Sequence, residues 1–236
     1  MVTAEQHSGR PSPVEAPSAG WLASQGRLQR FVLEYEFGLR ALETKLSILR
    51  DEFLYLHDYN PIEHVSSRVK TAESIVAKVQ RRGLVSQDGP PTLEALREHI
   101  TDIAGIRVTC SFVEDVYRLF DLLTRQEDVS IRRVKDYIAA PKANGYQSLH
   151  AIVEVPVFLS TGQIRVPVEI QFRTVAMDFW ASMEHKIYYK FQGEVPDQML
   201  RELRGAAATA AALDASMQAL HSEIHRASAS SDARRP

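Results

Sequence analysis

Val166, Val168, Ile170 and Phe172 occupy every second position of one short stretch, with Glu169 and Gln171 between them. Side chains two apart share one face of a strand, so residues 163–172 read as a β-strand with one face for a core and one for water or ligands. The segments around it change period in an order that narrows the fold. Residues 103–112 are strand-like, and residues 113–126 carry Val116, Leu119, Phe120 and Leu123 at helical spacing. Residues 129–138 and 148–155 return to strand, and Thr174 opens a helix to about Lys190. With a further strand over 64–70, a helix from Thr71 through Arg82 and a short one over 92–100, this order predicts an α/β (α+β) domain. It is a mixed sheet of about five strands flanked by helices.

The flanks differ in kind. Residues 1–20 place Pro11, Pro13 and Pro17 among serine, alanine and glycine and have little to bury, which predicts a disordered tail. From Trp21 apolar residues recur at helical spacing (Leu28, Phe31, Tyr35, Leu39, Leu42, Leu46), so residues 21–60 form an N-terminal helical segment, continuous or broken. The core then spans 61–192. Leu200, Leu203, Ala207, Ala210, Leu213, Met217, Leu220 and Ile224 step by threes and fours, predicting a C-terminal helix within 193–227 and a loose tail over 228–236. Its small, apolar stripe suits contact with another subunit; folding back onto its own core is the alternative.

Composition excludes several classes. With 28 basic against 30 acidic residues and a net charge of −2, no global basic footprint for duplex DNA exists, so any polyanion site is local. DNA is not expected as a partner, and RNA is left open. Cys110 stands alone, which rules out an intramolecular disulfide and predicts a buried thiol. No apolar run approaches the ~20 residues of a membrane helix and no leader pattern opens the chain, so a cytoplasmic protein is expected. His57-Asp58 reads as a helix end, not a metal pair.

Local chemistry concentrates in the stretch KDYIAAPKANGYQSLH, residues 135–150. Gly145 allows a turn, Tyr146 offers a planar face, and Lys135, Lys142, Asn144 and His150 offer positive charge and donors, a loop suited to a nucleotide. Upstream, Arg68 and Lys70 share a strand face, and Thr71 is a plausible N-cap. Ser74, Lys78 and Arg81 then fall at i, i+4 and i+7 on the following helix, and together these groups make a phosphate cradle. Gln171 and Arg173 share the face of Glu169. Asp178 and His185 stand seven apart on one helix face, while Trp180 and Tyr188 read as packing residues.

In order, RVKTAESIVAKVQRR (residues 68–82), DIAGIRV (102–108), the loop above and VEIQFRT (168–174) resemble the synthetase domain of the RelA/SpoT family, the makers of the alarmone (p)ppGpp. The resemblance runs from about residue 59 to residue 190. It implies a nucleotidyltransferase-like fold with helical N- and C-terminal extensions. It also implies transfer of pyrophosphate from ATP to the 3′-hydroxyl of GDP or GTP, with no hydrolase half. Such transfer needs carboxylates near a magnesium ion and a base for the attacking hydroxyl. By resemblance Asp102 and Glu169 bind Mg2+ and Glu169 is the base. Arg68, Lys70, Ser74 and Lys78 take the ATP phosphates, and Arg81 and Arg107 sandwich the adenine. Tyr146 stacks on guanine, with Lys135, Lys142, Asn144, His150, Gln171 and Arg173 lining the acceptor side and Asp178 offered to the base edge. Asp102 and Arg107 would face opposite ways on one regular strand, so either a bulge at Gly105 or a position of Asp102 ahead of the strand is required. The small synthetases further suggest a homo-oligomer, a tetramer before a dimer. Because the motifs define the donor better than the acceptor base, an adenine nucleotide or RNA acceptor, or an inactive nucleotide- or RNA-binding relative, remains as an alternative.

Overall fold

A computed structural model of the chain describes residues 19–57, 59–84 and 92–232. Most of the tail read as disordered, Asp58, the loop at 88–91 and the last four residues lie outside these. The elements are α1 (Ala19–His57), β1 (Ile62–Val69), α2 (Ala72–Arg81), α3 (Leu93–His99), β2 (Ala104–Cys110) and α4 (Val113–Thr124). They continue with β3 (Ser130–Asp136), β4 (Leu149–Leu159), β5 (Gly162–Thr174), α5 (Val175–Lys190) and α6 (Asp197–Asp232). The five strands form one sheet in the order β1-β2-β5-β4-β3. β2 and β5 run parallel and every other neighbouring pair is antiparallel, the mixed sheet that the strand order predicts.

Register sorts the side chains onto two faces. Val108, Phe172 and Leu149 lie side by side, as do Ile106, Ile170 and Ala151, and Val168 and Val153. All are buried. Across this apolar face runs α1, a single unbroken helix whose Phe31, Tyr35, Leu39, Leu42, Leu46, Leu49 and Phe53 are also buried. Each such side chain contributes about 1.5–3 kcal/mol, and these anchors hold a helix that also leaves Leu33 and Ile48 exposed on its outer side. Gly38 permits the closest approach, since a Cβ there would stand 2.6 Å from Cγ1 of Val166. α4 covers the same face further along, with Phe120 edge-on to Phe172. Cys110 is buried in β2, and burial raises its thiol pKa far above the ordinary value.

Three boundaries differ from the reading of the sequence. β4 continues past Pro156 to Leu159, and β5 begins at Gly162, joined by a tight turn at Ser160-Thr161. Proline removes an N–H, which argues against a central strand. Here β3 pairs with β4 only as far as Glu154, and β2 pairs with β5 only from Glu169, so Pro156 and Pro167 both lie where one edge is free. α6 runs to Asp232, beyond the end expected near Ala227. Its inner side folds back on the chain's own core through Leu203, Ala207 and Asp214, all buried, while Leu213, Met217 and Leu220 stay exposed on its outer side. Among the described residues no helix is long and apolar enough to cross a membrane.

Candidate active site

The second face of the sheet is polar. One row across the strands holds Arg68, Gly105, Glu169 and Ile152, and the next holds Ser66, Arg107, Gln171, His150 and Lys135. The parity conflict resolves by position, since Asp102 lies in the turn ahead of β2 and Gly105 pairs in regular register with no bulge. Freed from the strand, the Asp102 carboxylate meets two predicted cations. Lys78 Nζ donates to both its oxygens at 2.6 Å, and Lys70 Nζ stands 3.2 Å from Oδ2. Burial pushes the Asp102 pKa up, but the Lys78 hydrogen bond and the Lys70 charge outweigh it and hold the carboxyl below its usual range. Thr71 caps α2 as predicted, its hydroxyl accepting from the Ser74 amide at 3.3 Å. Arg68 and Ser74 are exposed at the same end, as is Arg81 in the last turn of α2. Arg107 pairs with Asp178 at 3.2 Å.

Glu169 sits among donors. Gln171 Nε2 donates to its Oε2 at 3.1 Å, and His150 Nδ1 faces its Oε1 at 3.6 Å. Burial raises the Glu169 pKa, and the His150 and Gln171 contacts more than reverse this, leaving it below the ordinary glutamate value despite the repelling charge of Asp102. Among the described residues no group of three or more His, Cys, Asp or Glu is placed to hold a metal. The charge of Asp102 reaches Glu169, however, and two carboxylates are a donor set of the kind a magnesium ion takes. That ion takes one or two protein carboxylates and fills its shell with water and phosphate oxygens.

The loop over residues 137–148 is held more tightly than its sequence suggests. Tyr146 is 9 % exposed and packs with Trp180, Ala181, Leu203 and Ala207 in a second, smaller core. The planar face that the sequence offers at Tyr146 is covered by α6 in this structure. Lys142 Nζ lies 4.5 Å above the ring, and Gly145, at φ +90°, could not carry a Cβ without overlapping Ala207. Asn144 donates to Glu184 at 2.9 Å, and Lys135 remains exposed beside His150. Arg173, read as lining the acceptor side, is only 6 % exposed, and its Nη groups donate to Tyr146, Gln171 and Asp178. Asp178 thus engages two arginines, whereas His185 is exposed. Trp180 is buried as expected, its Nε1 donating to the Leu203 carbonyl at 2.8 Å, and Tyr188 is half-buried.

Glu184 escaped the reading of the sequence, and Ala207 was read only as part of the C-terminal stripe, because their partners Asn144 and Gly145 lie about 40 and 60 residues away and no spacing rule links them. A cavity of about 480 Å³ lies under α6, lined by Val113, Met177, Ala211 and Ala215. Its lining is chiefly apolar and lacks the cations that phosphate chemistry requires, so the polar sheet face is the better candidate.

A family profile described as a region found in RelA/SpoT proteins matches residues 67–194. The chain is 50 % identical over 193 residues to the GTP pyrophosphokinase YwaC of Bacillus subtilis, covering 82 % of this chain and 90 % of that one. Its fold is similar to that of the small alarmone synthetase 1 from Bacillus subtilis bound to its product pppGpp, at a TM-score of 0.74 and 35 % identity, over 84 % of this chain and 98 % of that one. The same synthetase bound to AMPCPP gives a TM-score of 0.69 and 32 % identity, over 85 % and 98 %.

Proposed function

The chain belongs to the RelA/SpoT family, and on that premise we propose that it transfers the β,γ-pyrophosphate of ATP to the 3′-hydroxyl of GDP or GTP and releases AMP. The observation that carries this reading is the polar sheet face, which sets the Lys70–Asp102–Lys78 cluster beside Glu169 with its flanking donors. Relatives of the same fold are named for pppGpp and AMPCPP complexes, which supports a guanine nucleotide product and an ATP-like donor.

In this reading Glu169 takes the proton of the 3′-hydroxyl, the oxygen attacks the β-phosphorus, and the bond from that phosphorus to the oxygen shared with the α-phosphate breaks. AMP leaves with that oxygen. Asp102 and Glu169 would hold Mg2+, which supplies charge stabilisation for the phosphoryl oxygens. Lys70 and Lys78, which neutralise Asp102 here, turn to phosphate oxygens once Asp102 is otherwise engaged. Arg68 and Ser74 complete the donor cradle, and Arg107 and Arg81 flank the adenine. Lys135, Lys142 and Asn144 serve the acceptor, with Tyr146 stacking its base once the ring is uncovered.

The exposed Leu213, Met217 and Leu220 on α6, with Leu33 and Ile48 on α1, suit a homo-oligomer, a tetramer before a dimer. Nucleotide substrates of this kind suit a cytoplasmic enzyme. Separation of products from ATP supplied with GMP, GDP, GTP or ADP tests the proposal. A pyrophosphorylated guanosine product and AMP are expected, while product only with ADP would transfer the reading to an adenine acceptor, and no product with any of them would leave a binding protein.

A further inference from the structure

We infer that Arg173 is a positioning residue and not a nucleotide ligand: one buried guanidinium sets the polarity of the two chains of contacts that end on Glu169, one closed by a hydrogen bond from Gln171 and the other by the His150 ring facing the carboxylate. The inference rests on Glu169 being the base of the proposed reaction. A guanidinium can only donate. Nη2 of Arg173 donates to the Tyr146 hydroxyl and to Gln171 Oε1, both at 2.8 Å, and Nη1 donates to Asp178 Oδ1 at 2.9 Å.

Each contact constrains what lies beyond it. With its amide oxygen committed to Arg173, Gln171 must present Nε2 to Glu169 Oε2, 3.1 Å away. A turned amide would set oxygen against carboxylate and NH2 against guanidinium, two contacts of like sign. The second relay runs through Tyr146. Its oxygen accepts from Arg173, and because the ring is buried its own hydrogen needs an acceptor, which His150 Nε2 provides at 2.7 Å. A neutral imidazole that accepts at Nε2 carries its proton on Nδ1, the nitrogen that faces Glu169 Oε1. Both oxygens of the base therefore face donors, and both polarities trace to Arg173. Without that constraint the Gln171 amide is free to turn, and a neutral imidazole in water favours the opposite tautomer.

Nitrogen-15 NMR of the histidine-labelled full chain, without nucleotide or metal and at a pH where the imidazole is neutral, reads the His150 tautomer, with His150→Gln supplying the assignment. In the wild type the proton should sit on Nδ1. Arg173→Lys remains a pure donor and should keep that tautomer, with kcat within about tenfold of wild type. Arg173→Gln can present an oxygen, so it should shift His150 toward the Nε2 tautomer and lower kcat by about 10- to 100-fold, more than it raises the acceptor KM. Tyr146→Phe cuts only the histidine relay and should shift the tautomer even if Arg173→Gln does not fold. Unchanged nitrogen shifts in Arg173→Gln or in Tyr146→Phe would overturn the inference, and so would an Arg173→Gln loss confined to the acceptor KM, the mark of a ligand. Because the tautomer is read without substrate, failure of Glu169 as the base shows separately, as activity retained in Glu169→Gln.

Discussion

At the residue scale, Glu169 and Asp102 are neighbours with different supports. Glu169 is flanked by the neutral amide of Gln171 and by His150, whereas Asp102 is clasped by two lysines. Glu169→Gln preserves shape and removes the base, so turnover measured as AMP release should fall by about two orders of magnitude while ATP binding persists. Near-normal turnover would remove the assignment. Asp102→Asn leaves Lys70 and Lys78 without their counter-charge, and calorimetry should find the magnesium dependence of ATP binding lost. Asp102 also has a sign in stability. Its folded pKa is depressed, so its contribution is present above the ordinary carboxylate value and disappears as pH falls through the folded one. The difference in denaturation midpoint between wild type and Asp102→Asn should therefore shrink in acid.

At the scale of elements, α6 decides where the acceptor loop rests. Ala207 meets Gly145 so closely that neither position has room for a larger group. Ala207→Leu should displace the loop, raising the KM for the guanine nucleotide by about tenfold or more while that for ATP stays near wild type. Equal effects on both substrates would mean that α6 supports the whole face and not the loop alone. α6 is tied to α5 by a buried contact in which Thr174 donates to Asp214 at 2.7 Å. Burial raises the Asp214 pKa, only partly offset by that hydrogen bond. The stabilisation is then complete below the ordinary value of about 3.9 and fades as pH rises through the raised folded value. Asp214→Asn keeps an acceptor without charge, so it should melt at a higher temperature than wild type near neutral pH and at a similar one in acid.

For the whole molecule, α6 faces two ways. Its inner side closes over Tyr146 and Trp180, and its outer side exposes Leu213, Met217 and Leu220. Light scattering of the full chain should return a multiple of its 26.6 kDa mass, four-fold before two-fold. Truncation after Pro196 should lower that multiple or cause aggregation, since it uncovers the second core as well as removing the outer stripe. A full-length mass of one chain at micromolar concentration would show that the outer stripe has no partner of its own kind.

Local periodicity was enough to place every strand and helix of the core and to sort the side chains of β5, because a two-residue repeat assigns faces without reference to any partner. Motif order and the family resemblance, not periodicity, selected Lys70, Lys78, Asp102, His150, Glu169 and Gln171, which fall into two contact clusters, one around Asp102 and one around Glu169. The continuation of β4 past Pro156 was not legible, since whether a missing N–H matters depends on which neighbour pairs there. Nor was burial of Tyr146 and Arg173, whose surroundings come from α5 and α6. An arginine on a strand face reads the same whether it meets solvent, a phosphate or a buried ring of acceptors. Only the packing of α6 against the loop, a contact between residues some 60 positions apart, determines which of these it is.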